Sequence, residues 1–135
     1  MVRIHRRLAY REALLDLVRY RATWDLPAFL ANRDAQRMVS QALYVAIQAA
    51  TDEAMAEVKA RSVTWNGQYR DAFLALGRAG ALDPELASGL AEWASLRNIL
   101  AHFYPVIDWR RLHAALAEIE PLETFLAWLE SESVA

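Results

Sequence analysis

The sequence predicts an all-α fold, and three observations carry that expectation. Alanine is abundant, while 135 residues hold only four glycines and four prolines, poor material for a turn-dense sandwich or barrel. Apolar residues recur at helical spacing along most of the chain, and no convincing strand pattern interrupts them. Proline, glycine and acidic residues fall between those runs, where helices start and stop.

The elements follow in order. Ile4, Leu8, Leu14, Leu15, Val18 and Ala22 mark a first helix over residues 3–24. Asp25-Leu26-Pro27 breaks it, because aspartate caps a helix and proline fits only a first turn. A short turn or loop then reaches Asn32. A long second helix is expected from Arg33 to Ala60, capped by Asn32 or Asp34. Met38, Ala42, Val45, Ala49 and Ala56 form one stripe of that helix, and Asp52 falls within it. Thr64-Trp65-Asn66-Gly67 is the next break. A third helix spans about 68–79 and stops at Gly80. Asp83-Pro84, an acidic cap before a proline at the first helical position, opens a fourth helix running to about Phe103. Pro105 disfavours the α conformation at Tyr104, so the helix ends there or bends sharply. Asp108 caps a fifth helix from Trp109, which Pro121 kinks or splits. The expected architecture is one domain over 1–135, an antiparallel bundle of four to five helices.

Composition narrows the chemistry. With no cysteine, disulfide scaffolds, thiol nucleophiles and thiolate metal sites are excluded. Three histidines, His5, His102 and His113, leave little for imidazole chemistry within one chain. The net charge of −2 argues against a chain that is basic throughout. The charge is uneven, however: residues 1–40 hold eight arginines against four acids, and residues 105–135 two against six. Arg3, Arg7 and Arg11 share a helix face that can attract RNA or an acidic partner, or simply face water. The longest uncharged run, Met38–Thr51, is shorter than the roughly 20 residues of a membrane span. The start lacks the apolar core of a signal peptide, so the cytoplasm is the expected location. There is no Gly-rich phosphate loop, no Gly-x-Ser-x-Gly elbow, no His-Glu-x-x-His pair and no Glu-x-x-His for a di-metal bundle. No cofactor and no metal site are expected.

One stretch carries chemistry: Arg97-Asn98-Ile99-Leu100-Ala101-His102-Phe103-Tyr104. On a helix, Asn98 and His102 share a stripe, as do Arg97 and Tyr104, and the four fit within an arc of roughly 160°. Ile99 and Phe103 are left to pack against the bundle. A histidine near neutral pKa can take a proton from a ribose 2′-hydroxyl. An arginine can hold a phosphate bidentately and stabilise its extra charge in the transition state. Asn98 can orient the imidazole, and Tyr104 can stack on a base or bond a phosphate. The set suits phosphoryl transfer or RNA cleavage without metal. The alternative is that these are surface or capping residues at a helix end, where a cationic histidine is favourable on dipole grounds alone. Asp52 lies on an apolar stripe beside Glu53, and an inward carboxylate wants a cation. Arg97 is its expected partner, unless Asp52 stands at the stripe's edge in water. His5 and His113 read as surface or packing residues. The five tryptophans read as core or dimer contacts.

The segment resembles the signature of HEPN-domain proteins, an arginine followed by four to six residues and a histidine. It is more closely similar to the HepT subgroup motif Arg-Asn-x-x-x-His-x-Tyr, with Arg97, Asn98, His102 and Tyr104 at the defined positions. Val106-Ile107-Asp108 looks like the hydrophobic-Asp pair opening that family's last helix. Residues 41–50 look like its Ala-rich second helix, and Tyr69–Phe73 with Ala79-Gly80 like its third. The resemblance implies a HEPN bundle that forms a homodimer, with two motifs across a shared cleft. It implies a metal-independent endoribonuclease, the toxin of a type VII toxin–antitoxin pair, with Arg97 and His102 catalytic. Asn98 and Asp52 are expected in support from the helix faces on which they lie. The implied partner, besides RNA, is an MntA-type minimal nucleotidyltransferase antitoxin that adds AMP to Tyr104. An alternative reading keeps the same residues as a non-catalytic, nucleotide- or partner-binding subunit of a nucleotidyltransferase pair.

Overall fold

The computed structural model describes the backbone of residues 2–102 and 107–134, and the side chains of residues 4–100 and 107–132. The described residues are helical, without strand. Seven α-helices appear in order: α1 Val2–Thr23, α2 Leu26–Leu30, α3 Arg33–Ala60, α4 Tyr69–Arg78, α5 Pro84–His102, α6 Trp109–Ala115 and α7 Glu120–Val134. The count exceeds the four to five expected for two reasons. The 26–30 segment closes a full short helix, because the Asp25 carboxylate accepts from the Ala28 N–H at 2.9 Å. The last helix is split rather than kinked. A 3₁₀ turn over Leu116–Glu118 ends α6, and Pro121 sits in the first turn of a new helix, where its missing N–H costs nothing.

The caps show why the boundaries fall where they do. Asn32, not Asp34, caps α3: its Oδ1 accepts from the Ala35 N–H at 2.9 Å. Asp83 accepts from the N–H groups of Glu85 and Leu86, and Asp108 from those of Arg110 and Arg111. Gly80 ends α4 at φ +80°, with the Ala81 N–H returning to the Leu76 carbonyl at 3.0 Å. In the same role after α3 stands Ser62, at φ 53°, with Val63 bonded back to Val58.

Helix α3 is the centre of the molecule and touches α1, α2, α4, α5 and α7. Its buried face is carried by Val39, Leu43, Ala46, Ile47, Ala50, Ala54 and Val58. This corrects the stripe expected from sequence in part, since Ala42 and Ala49 are buried as expected and Val45 packs against the core. Met38 and Ala56 are exposed, because the larger aliphatic groups at 39, 43, 47 and 58 win the core and turn the helix by about one residue, or 100°. Helix α1 is likewise rotated from the simplest reading. Tyr10, Ala13, Leu14 and Leu17 are buried, whereas Ile4 and Leu15 are 65 % and 63 % exposed.

Two contacts close the bundle. The Tyr10 hydroxyl donates to the Leu122 carbonyl and joins α1 to α7. Burial, and secondarily the charge of Glu53, hold that hydroxyl well above its ordinary pKa. Helices α4 and α5 meet at Gly77, where an added Cβ would stand 2.8 Å from the Ala87 Cβ. The tryptophans are core groups: Trp93 is buried, and Trp24, Trp65, Trp109 and Trp128 pack against the core. His113 is a packing residue. Its Nε2–H donates to the Trp24 carbonyl at 2.7 Å, and its ring lies 5.3 Å from Phe29.

Candidate functional site

Helix α5 is continuous through His102, so Arg97, Asn98 and His102 belong to one helix, with Asn98 and His102 one turn apart. The His102 side chain and the whole of Tyr104 lie outside the described residues. Around Arg97 the geometry is explicit. Its Nε–H donates to the Gln48 Oε1, and its NH1 donates to the Asn98 Oδ1 at 3.2 Å. The guanidinium carbon stands 4.8 Å from the ring centroid of Tyr69 and 5.8 Å from that of Tyr44, within cation–π range of both. Among the described residues, no carboxylate lies within ion-pair distance of Arg97.

The expected ion pair between Asp52 and Arg97 is therefore not formed. Gln48 stands between them: its Nε2–H donates to the Asp52 Oδ1 at 3.0 Å while its Oε1 accepts from Arg97. The one-residue rotation of α3 explains this. It turns Glu53, not Asp52, into the core, at 1 % exposure, and leaves Asp52 half-buried on the flank. Glu53 takes its cations from α1: Arg6 Nε at 2.8 Å and Arg7 NH2 at 2.9 Å. The N-terminal arginine face is thus partly engaged by the chain itself, since Arg7 serves Glu53 in the interior and Arg11 pairs with Glu130 at the surface. The side chain of Arg3 lies outside the described residues.

Ile99 does not pack into the bundle as expected. It is 42 % exposed and lines a groove of about 580 Å³ with Trp93, Leu96, Leu100 and Leu112. Leu100 takes the inward position instead. Phe103, the other expected packing residue, lies outside the described residues. Neither Arg97 nor Asn98 lines that groove.

Sequence reasoning missed Tyr44, Gln48 and Tyr69. A signal was present for two of them: Tyr44, Gln48 and Asp52 are spaced by four and form one stripe of α3. Tyr69 begins α4, directly after a loop held by one aspartate. Asp71 accepts from the Asn66 N–H at 3.0 Å and from both terminal nitrogens of Arg78 at 3.1 and 3.2 Å. Those bonds, Arg78 first, hold its carboxyl below the ordinary value. They also fix where α4 starts, and with it the Tyr69 ring over Arg97.

With this geometry in hand, the chain can be compared with known proteins. A family model described as ribonuclease HepT-like matches residues 10–128. The chain belongs to this family. No curated protein matches the sequence. Among solved structures, the tri-AMPylated HEPN toxin of Shewanella oneidensis in complex with its MNT antitoxin is 18 % identical. The alignment covers 96 % of this chain and 97 % of that one, with a TM-score of 0.84. A toxin–antitoxin structure with AMP-PNP, also 18 % identical, gives 0.85 over 96 % of this chain and 98 % of that one. The cytosolic protein of unknown function YutE from Bacillus subtilis, 16 % identical, gives 0.71 over 91 % and 87 %. At these identities the likeness establishes the fold. Among the described residues, no group of three or more His, Asp or Glu side chains is placed to hold a metal ion. None of their helices is long and apolar enough to cross a membrane.

Proposed function

We propose that this chain is a single-domain, metal-independent endoribonuclease, the cytoplasmic toxin of a type VII toxin–antitoxin pair, acting as a homodimer. The observation that carries the reading is Arg97: in a chain of the HepT-like ribonuclease family, the described residues that hold it are all uncharged. An arginine has five N–H donors. Among the described residues, Gln48 and Asn98 engage one each, and the other three are the donors this reading assigns to a phosphate.

In this reading Arg97 and His102 are catalytic. His102 takes the proton of a ribose 2′-hydroxyl, and the 2′-oxygen attacks the adjacent phosphorus. Arg97 holds the non-bridging oxygens as their charge grows. The 5′-oxygen leaves with a proton, giving a 2′,3′-cyclic phosphate and a 5′-hydroxyl end. A two-fold dimer brings a second His102 to the cleft as the acid for that step. Asn98 and Asp52 support Arg97, the second through Gln48. Tyr104 is the acceptor at which an MntA-type nucleotidyltransferase antitoxin adds AMP. The added phosphates repel RNA and block the cleft.

The purified chain should cleave RNA in the presence of EDTA, and His102→Ala or Arg97→Ala should remove that cleavage while circular dichroism stays helical. Survival of cleavage in both variants would overturn the catalytic assignment. RNA binding without cleavage in the unsubstituted chain would favour the binding-subunit reading. After co-expression with a partner nucleotidyltransferase, the intact mass should rise by multiples of AMP, and Tyr104→Phe should abolish the increase.

A further inference from the structure

We infer that Gln48 is a positioning residue for Arg97, a neutral link that transmits the anchoring of Asp52 without its charge. The inference rests on the ribonuclease reading above and deepens it. Tyr44, Gln48 and Asp52 occupy successive turns of α3, on the flank that meets α4 and α5. The Gln48 amide is bonded at both ends: its oxygen accepts from the Arg97 Nε–H, and its nitrogen donates to the Asp52 Oδ1 at 3.0 Å. The opposite amide orientation would set donor against donor and acceptor against acceptor. Asp52 therefore fixes the amide, and the amide fixes Arg97.

The chemical type at position 48 decides the outcome. A carboxylate there would form an ion pair at Nε and lower the positive charge offered to a phosphate. An amide gives the same directional acceptor and no net charge. Tyr44 and Tyr69 complete the arrangement: their ring faces hold the guanidinium by its quadrupole attraction and leave the charge in place. Asn98, the fourth contact, is also neutral. Among the described residues, every group that holds Arg97 is thus neutral, and its charge is left to meet a dianionic transition state.

The test compares Gln48→Glu and Gln48→Ala with the unsubstituted chain by two readouts. The first needs no ligand: exchange protection of the Arg97 Nε–H in nitrogen-15 NMR. It should be retained in Gln48→Glu, whose carboxylate pairs with Arg97 directly although it no longer donates to Asp52, and lost in Gln48→Ala. The second is steady-state RNA cleavage. Gln48→Glu should raise KM and lower kcat, together by about tenfold in kcat/KM, because the quenched cation holds both the bound phosphate and its growing charge less well. Gln48→Ala should lower kcat by about tenfold or more, through misplacement in the transition state, with less effect on KM. An Arg97 Nε–H indifferent to Gln48→Ala overturns the inference. Wild-type KM and kcat in both variants would overturn it too, with the ribonuclease reading intact. If the unsubstituted chain cleaves no RNA but the Nε–H responds to Gln48→Ala, the ribonuclease reading falls and the link stands.

Discussion

Glu53 carries a carboxylate into the interior between Arg6 and Arg7, at 1 % exposure. Its two cations are themselves mostly enclosed, with side chains 19 % and 13 % exposed, so solvent screens the cluster weakly. Removing the carboxylate alone leaves two arginines facing apolar surroundings. Glu53→Ala should therefore cost about 3–5 kcal/mol, a large share of the stability of a small domain. Urea denaturation measures it, and a loss below about 1 kcal/mol would mean that water reaches the cluster. The sequence made an inward carboxylate on this stretch legible, but not which of the adjacent Asp52 and Glu53 it is. The two differ by about 100° around the helix. The choice depends on whether Leu43 and Ile47 or Met38 and Val45 take the core, and in an alanine-rich helix both faces read as apolar. The same ambiguity concealed Gln48, since its role appears only once Asp52 stands on the flank.

At the scale of elements, the boundaries set by local chemistry were legible. Asp25, Asp83 and Asp108 each cap the helix they precede, and Gly80 ends the helix it follows. Each rests on bonds within a few residues, which a sequence displays directly. Pro121 was readable as a disruption, whereas its outcome, a fresh helix after a 3₁₀ turn, depends on how Leu116, Ile119 and Leu122 reach the core. The α4–α5 contact was not legible, because a glycine inside a helix does not announce what it approaches. Gly77→Ala gains about 0.5–1 kcal/mol of helix propensity, yet its Cβ falls 2.8 Å from the Ala87 Cβ. Overpacking of this kind costs about 1–3 kcal/mol, so the net effect should be destabilising. The chemical denaturation midpoint reads it directly, and a rise in midpoint would show that α4 moves aside without strain. Since α4 begins at Tyr69, the same variant should also disturb the ring over Arg97.

At the scale of the whole molecule, titration above neutral pH falls on few groups. The chain has one lysine, Lys59, and five tyrosines. Among the described residues, Tyr10 is the tyrosine whose hydroxyl is held by burial. Its buried hydroxyl must keep its proton to donate to Leu122, so its pKa in the fold lies well above the ordinary 10.0. Below that ordinary value, folded and unfolded chains hold the same proton and stability is complete. Above it, the unfolded chain releases the proton and the folded chain does not, so stability falls as pH rises. Thermal melts between about pH 9 and 11.5 should show this decline, and Tyr10→Phe should flatten it, although it is less stable at neutral pH by about 1 kcal/mol. An unchanged alkaline slope in Tyr10→Phe would assign the decline to other groups.

The bond from Tyr10 to Leu122 also has a meaning in time. It spans 112 residues, so α1, made before the other described helices, is among the last of them to be secured. While the chain leaves the ribosome, α1 and α3 can dock early, but Tyr10 keeps an open side until residue 122 arrives. Contacts this distant in sequence slow folding, because a long loop must close before they form. Completion of the bundle is thereby deferred until α7 is made, and a chain released early lacks the element that seals its first helix.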